Sequence, residues 1–230
     1  MAPHHARLPC WGDKTPDEKL DALRHLTLDL YGYQFSQARG DVLALLAAHQ
    51  PADEKEARDI ERIKTLIEAH PNIFSMNCEV GHVTASAAII EPRARRTLLH
   101  YHKRLGRWLQ VGGHAEYETD FAQVALREAR EETGLPDLEH FPPGEAPAPI
   151  DYDVHTIPQS GDAPEHLHLD FRYVLMTRQP EALAPAQSES TRFRWLNSAE
   201  MLDAGAAIDD SLRRLLRKAF ALLPSEEADR

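Results

Sequence analysis

Three stretches near the N-terminus place apolar residues at helical spacing. The first runs from Thr15 to Tyr31, where Thr15 and Glu18 form a capping box ahead of four regularly spaced leucines. A second helix is predicted from Asp41 to His49. Asp53 is the predicted cap of a third, whose apolar stripe consists of Ile60, Ile63, Leu66 and Ile67. We therefore expect residues 1–78 to form an N-terminal helical extension.

After Pro71 the apolar pattern changes to period two, which is typical of strands. Strands are predicted from His82 to Ile90, from Thr97 to His102 and from Trp108 to Val111. The last of these is expected to enter a helix, Asp120 to Thr133, through a turn at Gly112 and Gly113, and Gly134 is the predicted stop of that helix.

The rest of the chain predicts a hairpin, one more strand and two closing helices. The elements are a loop over residues 136–149, strands Ile150 to Ile157 and His166 to Met176, a strand Arg192 to Leu196, and helices capped by Ser198 and Asp209. The expected fold class is α+β over residues 79–230, with a mixed sheet between helices.

Composition narrows the possible functions. The chain has 230 residues, 42% apolar content and a formal charge of -11, so it is long enough for one substantial core. Binding to duplex nucleic acid is disfavoured because no basic cluster is present. Cys10 and Cys78 give no disulfide framework. No apolar segment suits a signal peptide or a membrane span, so a cytoplasmic location is the default expectation.

Three carboxylates lie within one turn of the helix from Asp120 to Thr133. Glu128, Glu131 and Glu132 are related by three and four positions, which places them on one face. Like charges this close repel unless a cation lies among them, and hard divalent cations prefer oxygen ligands. An exposed helix with ordinary ion pairs to Arg127 and Arg130 is the alternative.

The surrounding stretch resembles the Nudix box. The matching positions are Gly113, Arg127, Glu128, Glu131, Glu132, Gly134 and Leu135. Thr119 occupies the usual glutamate position of the box, and Ala129 stands where a larger aliphatic residue is common. In the family that glutamate usually pairs with the box arginine, so Glu118 or Glu116 is expected to steady Arg127 instead.

The resemblance implies a Nudix sandwich fold and divalent-metal-dependent cleavage of a pyrophosphate bond in a nucleoside diphosphate linked to another moiety. It implies Mg2+ or Mn2+ bound by Glu128, Glu132 and Glu131, with a backbone carbonyl of Gly112 or Gly113. Glu131, Glu132 and Arg127 are the implied catalytic residues. Glu189, six residues before Trp195, is the candidate general base or extra metal ligand, with an ordinary solvated loop carboxylate as the alternative.

Polar residues alternate on two strands that are expected to face each other. His166, His168 and Asp170 form one row, and Asp151, Asp153 and His155 form the other. These rows predict a second metal site, a wall that contacts substrate, or merely a polar sheet face. The alternation of His82, Thr84 and Ser86, with His100 and His102, favours a histidine-lined cleft.

Substrate contacts are expected from His166, His168 and two basic residues, Lys103 and Arg104, which precede the glycine pair. The expected partner is a small nucleotide-type substrate, and a homodimer through the helical extension is an open possibility. Two other functions compete. An isomerase of this family relies on a core cysteine, whereas Cys78 precedes the first core strand. A non-catalytic nucleotide-binding or regulatory protein usually lacks box glutamates, and all three are present here.

Overall fold

The computed structural model describes residue 15 and residues 37–103, 105–115, 118–161, 164–185, 192–203 and 208–224. Within them the helices are α1 (residues 37–48), α2 (Glu54–Ala69), α3 (Phe121–Thr133), α4 (Ser198–Asp203) and α5 (Asp210–Ala221). The strands are β1 (Gly81–Glu91), β2 (Arg96–His102), β3 (Arg107–Leu109), β4 (Val111–His114), β5 (Glu139–His140), β6 (Asp151–Ile157), β7 (His166–Met176) and β8 (Phe193–Asn197).

All of these strands join one mixed sheet built around β1 and β7. The two central strands run parallel, with Gly81 opposite Leu167 at one end and Ile90 opposite Met176 at the other. The free side of β1 pairs antiparallel with β4 and then with β2, and β2 continues to β3 and β8. The free side of β7 pairs with β6 and β5. Parallel central strands require covering layers on both faces.

The alternation along β1 separates those two faces. Val83, Ala85, Ala87 and Ile89 enter a core that also contains α1, α2 and α3. On the opposite face Ala88 and Ile90 pack with α5. His82, Thr84 and Ser86 share that second face but line a polar region instead. Helices therefore cover both faces, which confirms the predicted sandwich with a preceding helical unit, and one half of the second face is left for a polar cleft.

Helix α2 lies along the outer edge of β6. Among the described residues β6 pairs with β7 alone, so its outward N–H groups need other acceptors. The Glu56 carboxylate accepts from the Tyr152 N–H at 3.3 Å, and the Asp59 carboxylate accepts from the Val154 N–H at 3.2 Å. Carboxylates three positions apart on a helix thus match amide groups two positions apart on a strand.

Local signals placed several helix ends correctly. Asp53, Asp120 and Asp209 each accept a hydrogen bond from a first-turn N–H of the helix that follows. Gly134 closes α3 in the left-handed region at φ 66°. Helix α1 begins earlier than the predicted Asp41. The helix predicted from Thr15 to Tyr31 lies outside the described residues, apart from Thr15 itself.

Three local predictions were wrong. The stretch 136–149 is not entirely loop, because Glu139–His140 form a short strand on β7. Ser198 does not cap α4: Asn197 does, through a reciprocal pair in which its side chain accepts from the Glu200 N–H and its N–H donates to the Glu200 carboxylate, both at 2.9 Å.

The third error concerns the glycine pair, which lies inside strand β4 rather than in a turn. Gly112 is opposite Ser86, and a Cβ at Gly112 would lie 2.3 Å from the Ser86 Cβ. Its φ of 151° also disfavours any other residue. The glycines therefore allow β4 to approach β1 closely.

Within the described residues, no helix has the length and apolar content needed to span a membrane.

Candidate active site

Two box glutamates from α3 reach the glycine pair of β4. A Cβ added to Gly113 would lie 2.4 Å from Oε2 of Glu128, so this carboxylate fills the space that a side chain would occupy. Oε1 of Glu132 accepts the Gly112 N–H at 3.1 Å. The two side chains are only 15% and 13% exposed. Absence of side chains at the glycines thus lets both carboxylates lie against strand backbone.

Glu131 differs from the other two glutamates, because its side chain is 61% exposed. Its carboxylate lies 3.4 Å from Nη1 of Arg127, one turn earlier on the same helix. The sequence predicted all three carboxylates on one helix face, with Glu128 and Glu132 as the first-choice ligands and Glu131 as a third. The structure separates them into two carboxylates against the sheet and one at the surface.

Arg127 connects the box elements. Its Nε donates to Glu118 at 2.9 Å, Nη1 donates to Glu128 at 2.8 Å, and Nη2 donates to the His114 carbonyl at 3.1 Å. Burial alone would lower the pKa of Arg127, but the carboxylates of Glu118 and Glu128 outweigh this effect and raise it. The contact expected between Glu118 and Arg127 is therefore present, whereas Glu116 lies outside the described residues.

A cleft of about 1000 Å³ lies beside these elements on the polar half of the second sheet face. Its lining includes Gly112, Gly113 and Glu132, as well as Lys103, His166 and His168. This volume is at the upper end of the range for small-molecule sites. Arg104 and Glu189, two further site residues predicted from sequence, lie outside the described residues.

Histidines form one wall of the cleft. The ring of His82 lies 4.9 to 5.1 Å from those of His114, His166 and His168. Burial, reinforced by the neighbouring histidines, lowers the pKa of His82 to about 4 and that of His168 to about 2. These two rings are therefore uncharged at neutral pH, and each retains a nitrogen lone pair.

His100 lies next to the box. Its Nδ1 is 3.4 Å from Oε2 of Glu132. Burial, together with the nearby His102, lowers the pKa of His100 to about 4. The contact with Glu132 is therefore made by a neutral ring at pH 7. His100 and His102 also line the cleft, so its histidine lining extends towards the box.

The two polar rows of β6 and β7 face each other as predicted, with Asp153 opposite Asp170 and His155 opposite His168. The aspartates, however, have internal partners. Asp170 accepts from Ser86 at 2.7 Å and from Arg172 at 3.0 Å. The aspartates of these rows therefore belong to a polar interior. Of the rows' histidines within the described residues, His168 alone belongs to a group of possible metal ligands, together with His82 and His114.

Asp151 and Asp153 lie deeper and join a buried ion network that connects α2, β6 and α5. Arg214 donates two hydrogen bonds to Asp151, at 2.7 and 3.0 Å. Lys55 and Arg172 approach Asp153 at 2.5 and 3.1 Å. Burial alone would raise the pKa of Asp153, but Arg172, His155, Lys55 and Ser211 outweigh burial and lower it. No local pattern in the sequence indicates these long-range partners.

Sequence reasoning missed two residues of the cleft. Gln110 donates to Asp170 at 3.2 Å, and its position just before the glycine pair was the only available signal. His114 directly follows the glycine pair and lies 3.3 Å from His168, Nε2 to Nε2. His82 and His168 were selected because polar residues alternate along their own strands. His114 ends the short strand that contains the glycine pair, where no such alternation is present.

The NUDIX domain family matches residues 81–217, which is more than half of the chain. A search of curated proteins finds no match. A NUDIX-family hydrolase structure from Clostridium perfringens is 29% identical, covers 62% of this chain and 98% of its own, and has a TM-score of 0.48. The E. coli dihydroneopterin triphosphate pyrophosphohydrolase is 16% identical, with coverages of 60% and 94% and a TM-score of 0.45. A C. elegans Ap4A hydrolase is 19% identical, with coverages of 60% and 95% and a TM-score of 0.42.

Proposed function

Because this chain belongs to the NUDIX hydrolase family, we propose that it hydrolyses a pyrophosphate bond in a nucleoside diphosphate linked to another moiety, with Mg2+ or Mn2+ as cofactor. One observation carries this proposal: Glu128 and Glu132 converge on the backbone of Gly112 and Gly113 at the edge of a cleft. Carboxylates in that position can hold a cation where a substrate phosphate would lie.

The donor set fits a hard divalent cation. Two mostly buried carboxylates lie against the backbone of strand β4, and both offer oxygen atoms, the ligand type that Mg2+ prefers. Glu131 is the candidate third ligand from the exposed side of α3. When bound, such an ion would neutralise phosphate charge and lower the pKa of a bound water.

Arg127 acts as a positioning residue in this proposal. Its guanidinium contacts Glu118, Glu128 and Glu131, and it also donates to the carbonyl of His114. The fork geometry of a guanidinium allows these contacts to be made together, which a lysine cannot reproduce. Arg127 thereby fixes the Glu128 carboxylate relative to strand β4.

The cleft wall supplies the proposed substrate contacts. Lys103 is exposed at the mouth of the cleft, and His166 and His168 line its far side. A lysine ammonium attracts phosphate oxygens, whereas imidazoles can take part in hydrogen bonds through their ring nitrogens. Arg104 is proposed to assist Lys103, and Glu189 is the proposed general base.

The test is an assay of phosphate-linked products from a panel of nucleoside diphosphate derivatives with Mg2+ or Mn2+. We expect wild type to cleave at least one member, and Glu132→Gln and Glu128→Gln each to lose about a hundredfold or more, as for removal of a ligand in a metal centre. Glu61→Gln is the matched control, because the Glu61 side chain is 72% exposed on α2 and, among the described residues, pairs with Lys64 alone. It should retain wild-type activity.

Two results would contradict the proposal. If wild type cleaves no panel member yet binds one of them, the chain is a nucleotide-binding protein rather than a hydrolase. If Glu132→Gln and Glu128→Gln keep full activity, cleavage does not depend on the box. Glu189→Gln, assayed alongside, should lower kcat with little change in KM if Glu189 is the base.

A further inference from the structure

Three histidines from three different strands meet beside the box. His82 is on β1, His114 is on β4 and His168 is on β7, and strand pairing places His82 directly opposite His168. One ring nitrogen from each lies within 4.8 Å of the other two. None of the three belongs to the box helix, and their meeting is a consequence of sheet register.

The spacing of two of these nitrogens fits ligands of one ion. Nε2 of His114 and Nε2 of His168 are 3.3 Å apart, which is long for a hydrogen bond. Two imidazole nitrogens bound to a tetrahedral zinc ion at about 2.0–2.1 Å would be about 3.3–3.4 Å apart. The observed separation therefore allows both lone pairs to point at the same cation.

His82 supplies an independent observation. It is 4% exposed, and neither of its ring nitrogens has a hydrogen-bond partner among the described residues. Buried polar atoms nearly always have a partner, and an exception calls for an explanation such as an ion. A metal bound to this ring would satisfy one of the two nitrogens.

We propose that His82, His114 and His168 bind one divalent transition-metal ion of the zinc class. Imidazole ligands suit Zn2+ and its neighbours, whereas Mg2+ prefers oxygen. Three histidine ligands with a remaining open position are also the composition of a catalytic zinc site. His114 and His168 line the cleft and His114 directly follows Gly113, so the ion would lie on the wall that the proposed substrate contacts. The inference does not depend on hydrolase activity.

Two neighbouring histidines provide matched controls. Nδ1 of His166 contacts the Pro164 carbonyl at 2.8 Å, and Nδ1 of His155 contacts Asp153 at 3.0 Å. Their rings lie 5.3 and 5.5 Å from the ring of His168, yet neither belongs to the group of three. Replacing them removes a nearby imidazole without removing a proposed ligand.

The experiment uses the full chain carrying Glu128→Gln and Glu132→Gln, which disables the box, after chelator treatment. Zn2+ is titrated by calorimetry and Co2+ by visible absorption. We expect one equivalent to bind, and at least tenfold weaker binding after His114→Gln or His168→Gln. His166→Gln and His155→Gln should bind as tightly as their parent, and His114→Cys should retain binding because thiolate is also a zinc ligand.

Either of two outcomes would contradict the proposed metal site. The parent protein binds neither Zn2+ nor Co2+, which would leave water as the partner of His82. Alternatively, His166→Gln weakens binding as much as His114→Gln, which would indicate unspecific uptake by a histidine-rich surface. Metal-free melting temperatures of all variants, expected to match the parent, separate loss of a ligand from loss of the fold. Because the box is disabled, the result is independent of the activity assay.

Discussion

Two clusters of charged residues in this protein handle negative charge in opposite ways. In the buried network of α2, β6, β7 and α5, every member carboxylate has a lysine or arginine nitrogen within 3.0 Å; the members are Glu56, Asp59, Asp151, Asp153 and Asp170. At the box, the guanidinium of Arg127 is shared by Glu118, Glu128 and Glu131 at 2.8 to 3.4 Å.

The difference shows that a count of carboxylates does not identify a functional site. Within the described residues, four cations face the five carboxylates of the buried network, namely Lys55, Arg172, Arg214 and Lys218. Its charge is therefore nearly balanced, and its role is to hold a helix against the sheet. The box has one arginine for several carboxylates beside an open cleft, and this excess of negative charge supports the proposed metal site. The ratio of cations to carboxylates, together with the position of the carboxylates beside a cleft, distinguishes a structural ion network from a proposed functional site.

The largest expected effect comes from breaking the buried network. Arg214 is 1% exposed, and Arg214→Leu would leave Asp151 with one fewer cation in a dry environment. We expect the free energy of unfolding to fall by about 3–5 kcal/mol. Urea denaturation of wild type and variant measures this change in the free energy of unfolding. Arg58→Met, which removes an exposed partner of Glu54 on α2, should change it by less than about 0.5 kcal/mol. If the two substitutions lowered the free energy of unfolding equally, buried and exposed ion pairs would not differ in their contribution to stability.

The second effect is a pH dependence of the same network. Burial alone would raise the pKa of Glu56, but hydrogen bonds from His49, the Ala52 N–H and Lys218 outweigh burial and lower it from 4.5 to about 2. A lowered carboxyl pKa stabilises the fold above pH 4.5, and that contribution is lost as the pH falls towards 2. The groups facing Glu56 also include Tyr152 and Arg214.

Unfolding of wild type and Glu56→Gln at pH 6 and pH 3 tests this shift. Wild type should be the more stable at pH 6, and its advantage should shrink by on the order of 2 kcal/mol at pH 3. A difference that does not change with pH would mean that Glu56 has an ordinary pKa in the folded protein.

A smaller effect on stability than in the buried network is expected at the box, in Arg127→Lys. Its side chain is 27% exposed, so unfolding should change by less than about 1 kcal/mol. Hydrolysis should nevertheless fall by about tenfold or more, because lysine cannot hold Glu118 and Glu128 together. Arg130→Lys on the same helix, where the side chain contacts the Leu138 carbonyl, is the control and should leave activity unchanged. If Arg127→Lys lowers stability but not activity, the role of Arg127 is structural and the proposed positioning role is wrong.

Much of the fold could be predicted because its signals are local. The caps Asp53 and Asp209 and the stop Gly134 act within a few residues of their own positions. The alternation along β1, β6 and β7 likewise depends only on neighbours in sequence. The box motif placed Glu128 and Glu132 on the correct helix face for the same reason.

The remaining features depend on contacts between distant parts of the chain. Asp153 meets Lys55, which is 98 positions away, and Thr84 meets Asp170, which is 86 positions away. The glycine pair was predicted as a turn because glycine favours turns, and only the pairing with β1 shows why a strand needs it. His114 joins His82 and His168 through the same pairing, so its role could not be read from spacing.

The position of α2 along β6 has a consequence for the integrity of the sheet. The carboxylates of Glu56 and Asp59 accept hydrogen bonds from β6 N–H groups that could otherwise pair with another strand. Unpaired edges of this kind are templates for strand addition between molecules, and proteins avoid them with charge or with a covering element. Here one helix provides both. A chain shortened to begin at residue 79 would keep the box but expose this strand edge and the part of the core that α1 and α2 cover, and we expect it to self-associate.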